Sequence, residues 1–301
     1  MIVSTEKASW ELEEGDEIVP GRLALRGLGG GHRYETYLAW DDRLLSVVVA
    51  KLIRPDQVED PDAIQNLHRE ARALDHLGHP VIVRGFGAVL DGPRPHIVME
   101  HLEGPTLRSL VKRYGPVSPQ QLLPLALHVC SALHYMSTEK MVHLDVKPGN
   151  IVMGAPPRLI DLSIARSLRD AGRVRSPIGT DPYMAPEQCQ PKSGAKLGPP
   201  ADVWGLGASL YEAITGHLPF SKGSRKAAAP AARFPQLWEE PVPFAKGVPR
   251  PVRDLVVRCL AKDPGDRPTA SEMALELEPL IAALPQRPAI GRLRPRFRRI
   301  P

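Results

Sequence analysis

The sequence has few cysteines, few aromatic residues and no long apolar run. Its three cysteines, Cys130, Cys189 and Cys259, are widely spaced, which favours buried thiols in a reducing compartment over disulfides or a zinc site. Aromatic residues make up 5% of the chain and the net charge is only +5, so the composition does not favour a nucleic-acid partner. No stretch approaches the ~18 apolar residues of a membrane span, and no basic-then-apolar leader opens the chain. These absences predict a cytoplasmic protein without a transmembrane segment.

The rest of the composition is that of an ordinary globular protein. Hydrophobic residues make up 43% of the 301 residues and charged residues 24%, enough to bury a sizeable core. Residues 1–20 are acidic, and we expect a loosely ordered lead-in there. Residues 285–301 form a basic tail rich in proline and arginine. The tail fits a solvated disordered segment, a clamp on the acidic N-terminus, or a weak peripheral contact with anionic membrane lipids.

The stretch between residues 142 and 161 carries the densest set of chemically useful side chains. The string VHLDVKPGNI contains Asp145, Lys147 and Asn150, and Asp161 follows eleven residues after Asn150. Carboxylate and amide oxygens bind magnesium, an ammonium group neutralises phosphate, and a further carboxylate suits an attacking hydroxyl. The stretch alone therefore indicates phosphoryl transfer. It fits a protein kinase, a small-molecule phosphotransferase or a chance match in a polar loop.

A glycine-dense turn and a strand–helix pair precede that stretch. Backbone amides at residues 27–31 could approach phosphate oxygens, although a flexible hairpin turn explains the glycines equally well. The β-branched run around Lys51 predicts a buried strand. The helix that begins at Asp60-Pro61 and stops at Gly78 carries Glu70 inside its apolar stripe, where a carboxylate needs a cation. Lys51 is the obvious partner, and a surface lysine at a strand end is the alternative.

The second half of the chain carries further motifs. The string GTDPYMAPE at residues 179–187 ends a polar, basic segment, and DVWGLG begins at Asp202. Asp202 is interpreted as an ordinary helix cap. Residues 221–250 are rich in proline and alanine and predict a mobile surface excursion. Arg267 lies in the later string DPGDRP.

In this order the motifs resemble those of protein kinases, and in particular of bacterial Hanks-type (eukaryotic-like) serine/threonine protein kinases. The resemblance spans residues 22–284 and implies an ion pair between Glu187 and Arg267, which small-molecule phosphotransferases lack. It also implies that Asp202 both caps its helix and ties down the backbone of the loop around Asp145. The fold that it implies is a bilobal α+β kinase fold. The small β-rich N-lobe would comprise residues 21–102, and the larger, mostly helical C-lobe residues 103–284.

The resemblance further implies which residues form the active site. The catalytic set would be Lys51, Glu70, Asp145, Lys147, Asn150 and Thr180. The residues around ATP would be Gly29, Gly31, Val49, Lys51, Met99, Glu100, Leu102, Val152 and Asp161. Asn150 and Asp161 would also hold Mg²⁺, or Mn²⁺. In the implied mechanism Asp145 accepts the proton of a substrate serine or threonine, and Lys147 neutralises the moving γ-phosphate.

Two departures from the family pattern leave a second function open, and a third bears on regulation. Tyr34 stands where the third glycine of the hairpin is expected, and Ser163 replaces the glycine that usually comes two residues after Asp161. These two changes favour the alternative of an ATP-binding pseudokinase that acts as a scaffold or sensor. Leu144 precedes Asp145, where many kinases carry an arginine that pairs with a phosphorylated loop. We therefore expect activity that does not depend on loop phosphorylation through such an arginine.

The leading prediction is a signal-transduction kinase that acts on protein substrates. Ser167, Ser176 and Thr180 lie in or beside the basic segment after Asp161, which makes autophosphorylation at one of them a hypothesis. The resemblance also leaves a kinase homodimer open.

Overall fold

The computed structural model describes residues 8–192, 194, 196–227, 229–245 and 247–284. The basic tail at residues 285–301, and with it the predicted membrane contact, lies outside the described residues. None of the helices in the described part of the chain has the length and apolar character needed to cross a membrane.

An antiparallel sheet of six strands forms the first part of the fold, in the order β1-β2-β3-β4-β6-β5. Its strands are β1 (Glu17–Val19), β2 (Arg22–Gly30), β3 (Tyr34–Asp41), β4 (Ser46–Ile53), β5 (Gly85–Val89) and β6 (His96–Glu100). The β-branched run predicted as a buried strand is β4, which lies between β3 and β6. Val49 pairs with Met99 and Lys51 with Ile97 across β4 and β6. Because side chains alternate along a strand, Val49 and Lys51 share one face of the sheet.

The acidic lead-in is a correction to the sequence interpretation, because its described part is held against the sheet. The Ser9 hydroxyl donates to Glu35 Oε2 at 2.7 Å, and the Trp10 indole N–H donates to the Ile53 carbonyl at 2.8 Å. Ile18 is buried in the core of the sheet. The number of acidic residues predicted a loosely ordered segment. The contacts of Ser9, Trp10 and Ile18 instead hold residues 8–20 against the sheet.

Helices and short strands form the second part of the fold. The helices are α1 (Pro61–His76), α2 (Leu107–Tyr114), α3 (Pro119–Thr138), α4 (Leu168–Ala171), α5 (Pro186–Cys189), α6 (Pro199–Thr215), α7 (Pro230–Arg233), α8 (Arg250–Cys259) and α9 (Ala270–Ala282). The short strands are β7 (Met141–Val142), β8 (Ile151–Val152), β9 (Arg158–Leu159) and β10 (Arg166–Ser167). β7 pairs with β10 on either side of the stretch that contains Asp145 and Asp161, and β8 pairs with β9 between these two residues. This is the bilobal α+β kinase fold that the resemblance implies.

Two helices illustrate how the sequence sets the elements that carry the site. Helix α1 starts where the Asp60 side chain accepts from the Asp62 N–H and Pro61 takes the first helical position. Helix α6 is buried over most of its length, with Trp204 and Tyr211 fully buried, and ends at Gly216 in a left-handed conformation. The packed core around α3 and α6 therefore provides a rigid base for the loop that follows α3.

Candidate active site

A cavity of about 750 Å³ lies between the sheet and the helical part. It is lined by nearly all the residues predicted to surround ATP, namely Gly31, Val49, Lys51, Met99, Glu100, Leu102, Val152 and Asp161. Gly29 is the exception. The pairing of β2 with β3 is irregular between Gly27 and Gly29, and Gly30 lines the cavity together with Gly31 instead.

Three apolar side chains line one end of the cavity. Val49 of β4, Met99 of β6 and Val152 of β8 line it from two sides. The Glu100 carboxylate is already used, since it accepts from the Arg84 N–H at 2.9 Å and from Arg158 Nε at 3.1 Å. Both bonds end on Oε1, and the Glu100 N–H donates to the Arg84 carbonyl at 2.9 Å, so Glu100 is anchored to the chain around Arg84.

A cluster of three charges occupies the polar end of the cavity. Lys51 Nζ lies 2.8 Å from Glu70 Oε2 and 3.1 Å from Asp161 Oδ1. Glu70 is 1% exposed, so the carboxylate in the apolar stripe of α1 has the cation that the sequence required. The ion pair predicted between the strand lysine and the helix glutamate is confirmed.

Electrostatics keep Lys51 and Asp161 of this cluster ionised. Burial alone would lower the pKa of Lys51, but the carboxylates of Glu70 and Asp161 together raise it above its usual value. Burial would raise the pKa of Asp161, but the Lys51 ammonium and a hydrogen bond from Ser163 hold it well below its usual range. At neutral pH the site thus presents a fixed cation beside a fixed anion. Ser163 contributes to this arrangement although it replaces the family's glycine.

A second cluster forms around Asp145 in the loop after α3. The Thr180 hydroxyl donates to Asp145 Oδ1 at 2.7 Å, and Lys147 Nζ donates to Asp145 Oδ2 at 2.5 Å and to Thr180 Oγ1 at 2.8 Å. Asn150 Nδ2 donates to the Asp145 carbonyl at 3.0 Å and to its carboxylate at 3.1 Å. The structure therefore brings together four residues that are up to 35 positions apart in the sequence.

Backbone anchors fix the loop that carries Asp145. The buried Asp202 accepts from the His143 N–H at 2.8 Å and from the Leu144 N–H at 2.7 Å. Helix α6 begins before Asp202, at Pro199, so the predicted capping role is wrong, whereas the predicted hold of Asp202 on the loop backbone is confirmed. Leu144 and Asp161 both have left-handed backbone, with φ of 65° and 66°. Such strained non-glycine residues persist where surrounding contacts hold them, and they concentrate at functional sites.

Glycine is required at position 179, just before Thr180. Gly179 has φ of 125°, and a Cβ there would meet Met184 Cγ at 2.9 Å and the Leu144 carbonyl at 3.0 Å. The Gln188 amide donates to the Leu144 carbonyl at 2.8 Å and to the Ile178 carbonyl at 2.9 Å. The close packing of Gly179 against Leu144 and the bonds from Gln188 thus hold Thr180 beside the Asp145 loop.

The ion pair predicted between Glu187 and Arg267 is confirmed and is deeply buried. Arg267 Nη1 and Nη2 donate to the two Glu187 oxygens at 2.7 and 2.9 Å, and the two side chains are 0% and 1% exposed. The guanidinium also lies over the Trp204 ring, 5.0 Å from its centroid. This bidentate pair connects the end of the activation segment, residues 161–187, to the helical core.

Asp181 is a residue whose contacts the sequence interpretation missed. Its carboxylate accepts from Arg233 Nε at 3.0 Å and Nη2 at 3.2 Å, and its carbonyl accepts from the Gln236 amide at 2.6 Å. Phe234 and Gln236 are both buried, which corrects the prediction of a mobile excursion for this part of residues 221–250. The proline and alanine content of the segment gave no sign of these contacts. The single acid between Thr180 and Pro182 was the available signal.

Two oxygen donors at the cavity suit a divalent cation. Asp161 supplies a carboxylate, and Asn150 uses its Nδ2 on Asp145, which leaves its amide oxygen as the group that could bind a metal. Among the described residues no group of three or more His, Cys, Asp or Glu side chains could hold a metal. A hard cation bound by few protein oxygens and completed by phosphate oxygens fits this donor set better than an all-protein cage does.

Comparisons with known proteins agree with this geometry. A family model described as "Protein kinase domain" matches residues 24–276. The serine/threonine-protein kinase PknB of Mycobacterium tuberculosis strain H37Rv is 35% identical over 264 residues, and that of Mycobacterium leprae is 36% identical over 263. The PknB of Mycolicibacterium smegmatis is 36% identical over 264 residues. Each alignment covers 83% of this chain but only 41% of the relative, so the chain spans about two fifths of the length of these relatives.

Proposed function

The chain belongs to the protein kinase family, in its bacterial Hanks-type serine/threonine branch, and from this premise we propose that it transfers the γ-phosphoryl group of ATP to serine or threonine hydroxyls of protein substrates. The observation that carries the proposal is that the Lys51–Glu70–Asp161 cluster lines the cavity together with Asn150, whose amide bonds directly to Asp145 and so places the second cluster beside it. The complete set of ionic contacts disfavours the pseudokinase alternative.

In this proposal Lys51, held by Glu70, binds the phosphates of ATP as they enter the polar end of the cavity. Adenine would occupy the apolar end between Val49, Met99 and Val152. The contacts of Lys51 support this role, because its ammonium is fixed by Glu70 before any ligand binds. Such preorganised positive charge requires no rearrangement when phosphate arrives.

Asp145 is the proposed acceptor of the proton from the substrate hydroxyl. Its carboxylate is oriented by Thr180 and Lys147, so the hydroxyl meets an oxygen in a fixed position. Lys147 is placed to offset the negative charge of the γ-phosphoryl group as it moves. A divalent cation, Mg²⁺ or Mn²⁺, held by Asp161 and Asn150 would neutralise the remaining phosphate charge.

Several further assignments belong to the proposal. We place the two lobes at residues 21–102 and 103–284 and the cytoplasm as the site of action, where ATP is available. A homodimer and a membrane contact through the tail also belong to the proposal.

Ser176 is exposed, whereas the Ser167 hydroxyl donates to Asp170 and the Thr180 hydroxyl to Asp145. Ser176 is therefore the preferred site of autophosphorylation.

The proposed chemistry is tested by identifying the phosphorylated amino acid. The protein is incubated with γ-labelled ATP, magnesium and a generic basic protein acceptor, and the acceptor and the enzyme are then hydrolysed separately. We expect phosphoserine or phosphothreonine in both, and peptide mapping that assigns the enzyme's own label to Ser176. Phosphotyrosine, or nucleotide binding without any label, would contradict the proposed function.

A further inference from the structure

Tyr34 stands in the place of a glycine, and the structure gives its side chain two specific contacts. The hydroxyl donates to the Ala63 carbonyl in α1 at 2.7 Å, and Lys51 Nζ lies 5.1 Å from the centroid of the ring. We propose that Tyr34 is a positioning residue that holds Lys51 and helix α1, and through the helix Glu70, in the arrangement that receives ATP. This inference rests on the proposed function and adds a residue to the nucleotide site.

The hydroxyl contact fixes the part of α1 that leads to Glu70. Ala63 lies in the first turn of the helix, and Glu70 lies seven residues later on the same face. Both are buried, so the helix surface that carries them faces the sheet. A bond from β3 to the first turn therefore resists an outward swing of the helix, which would separate Glu70 from Lys51.

The ring contact acts on Lys51 directly. The ammonium is surrounded by Glu70, Asp161 and the Tyr34 ring, and a desolvated cation over an aromatic face is a favourable contact. Burial raises the pKa of Tyr34 to about 12, so the hydroxyl remains a neutral donor in the physiological range. A glycine at this position would provide neither contact.

Neighbouring contacts hold the half of the hairpin on which Tyr34 lies. Arg54 Nε donates to the Gly31 carbonyl at 2.9 Å, and the Arg54 N–H donates to the Arg33 carbonyl at 3.0 Å. Arg33 Nε lies 3.1 Å from Asp60 Oδ2 at the start of α1. The returning half of the hairpin is thus fastened to both β4 and α1. This placement of the helix uses groups of the small lobe only and involves no phosphate.

The test compares two variants with a matched control. Tyr34→Phe removes the hydroxyl bond and keeps the ring, while Tyr34→Leu removes both. Tyr37→Phe is the control, because Tyr37 lies on the same strand but its hydroxyl contacts Glu35 and not α1. We expect kcat/KM for ATP to fall about fivefold in Tyr34→Phe and about a further tenfold in Tyr34→Leu, with KM for the protein acceptor unchanged.

Two readouts separate positioning from general stability and from the proposed function itself. Amide hydrogen exchange at residues 64–70 should accelerate in Tyr34→Phe but not in Tyr37→Phe. We expect the two variants to have the same melting temperature, so a general loss of stability would not explain the difference. Nucleotide affinity, measured without turnover, should weaken in the same order as kcat/KM, so the inference is testable even if wild type transfers no phosphate. Wild-type exchange and affinity in Tyr34→Phe, or a Tyr34→Gly variant that is more active than wild type, would overturn the inference.

Discussion

Replacing Asp161 with asparagine is expected to reduce the rate of phosphoryl transfer by about 10²–10³-fold at saturating ATP and magnesium. The substitution keeps the shape of the side chain but removes one carboxylate beside Lys51 and the only charged oxygen donor of the proposed metal pair. Steady-state transfer to a protein acceptor measures the effect. Lys51 keeps Glu70 as a partner, so the protein should still fold.

Asp170→Asn is the matched control for this prediction. Asp170 lies nine residues after Asp161 and pairs with Arg173 at 3.5 Å, but both side chains are more than half exposed. We expect a transfer rate within about threefold of wild type, because an exposed pair contributes little. A similar, small effect of both substitutions would contradict the role of Asp161 in binding the metal.

Replacing Glu187 with alanine is expected to lower the free energy of unfolding by about 3–5 kcal/mol. The substitution leaves the Arg267 guanidinium buried without its counter-charge, although three backbone carbonyls, those of Pro200, Ala261 and Lys262, still accept from it. Urea denaturation measures the loss. Because Glu187 ends the activation segment, part of the segment should also become accessible to proteases.

An exposed ion pair provides the comparison. Arg258 and Glu276 form an ion pair between α8 and α9 with side chains that are 48% and 42% exposed. Glu276→Ala should cost less than about 1 kcal/mol. If Glu187→Ala cost no more than Glu276→Ala, the buried pair would not hold the end of the activation segment as we describe.

Several features of the site were predictable because they depend on local pattern. Glu70 within the apolar stripe of α1 required a cation, and the strand that carries Lys51 was evident from its β-branched residues. The ends of α1 followed from Asp60-Pro61 at one end and from Gly78 beyond the other. In each case the residues that set the structure lie within a few positions of the element they define.

The features that the sequence did not predict depend on contacts between distant residues. The bond from Tyr34 to the Ala63 carbonyl involves a backbone acceptor, which leaves no trace in residue type. The anchoring of Asp181 by Arg233 joins residues 52 positions apart, through a segment whose composition predicts mobility. Composition describes an average tendency, whereas a few buried polar contacts decide whether a particular segment is ordered.

The most direct test of the account compares label transfer from γ-labelled ATP by wild type and by Asp145→Asn. The variant keeps the size of the side chain and its position beside Thr180 and Lys147, but loses the proton acceptor. We predict that wild type labels a serine/threonine acceptor and that the variant is slower by at least about 10²-fold while it binds nucleotide normally. Equal labelling by the two proteins, or nucleotide binding without labelling by wild type, would contradict the proposal that this cavity is a kinase active site.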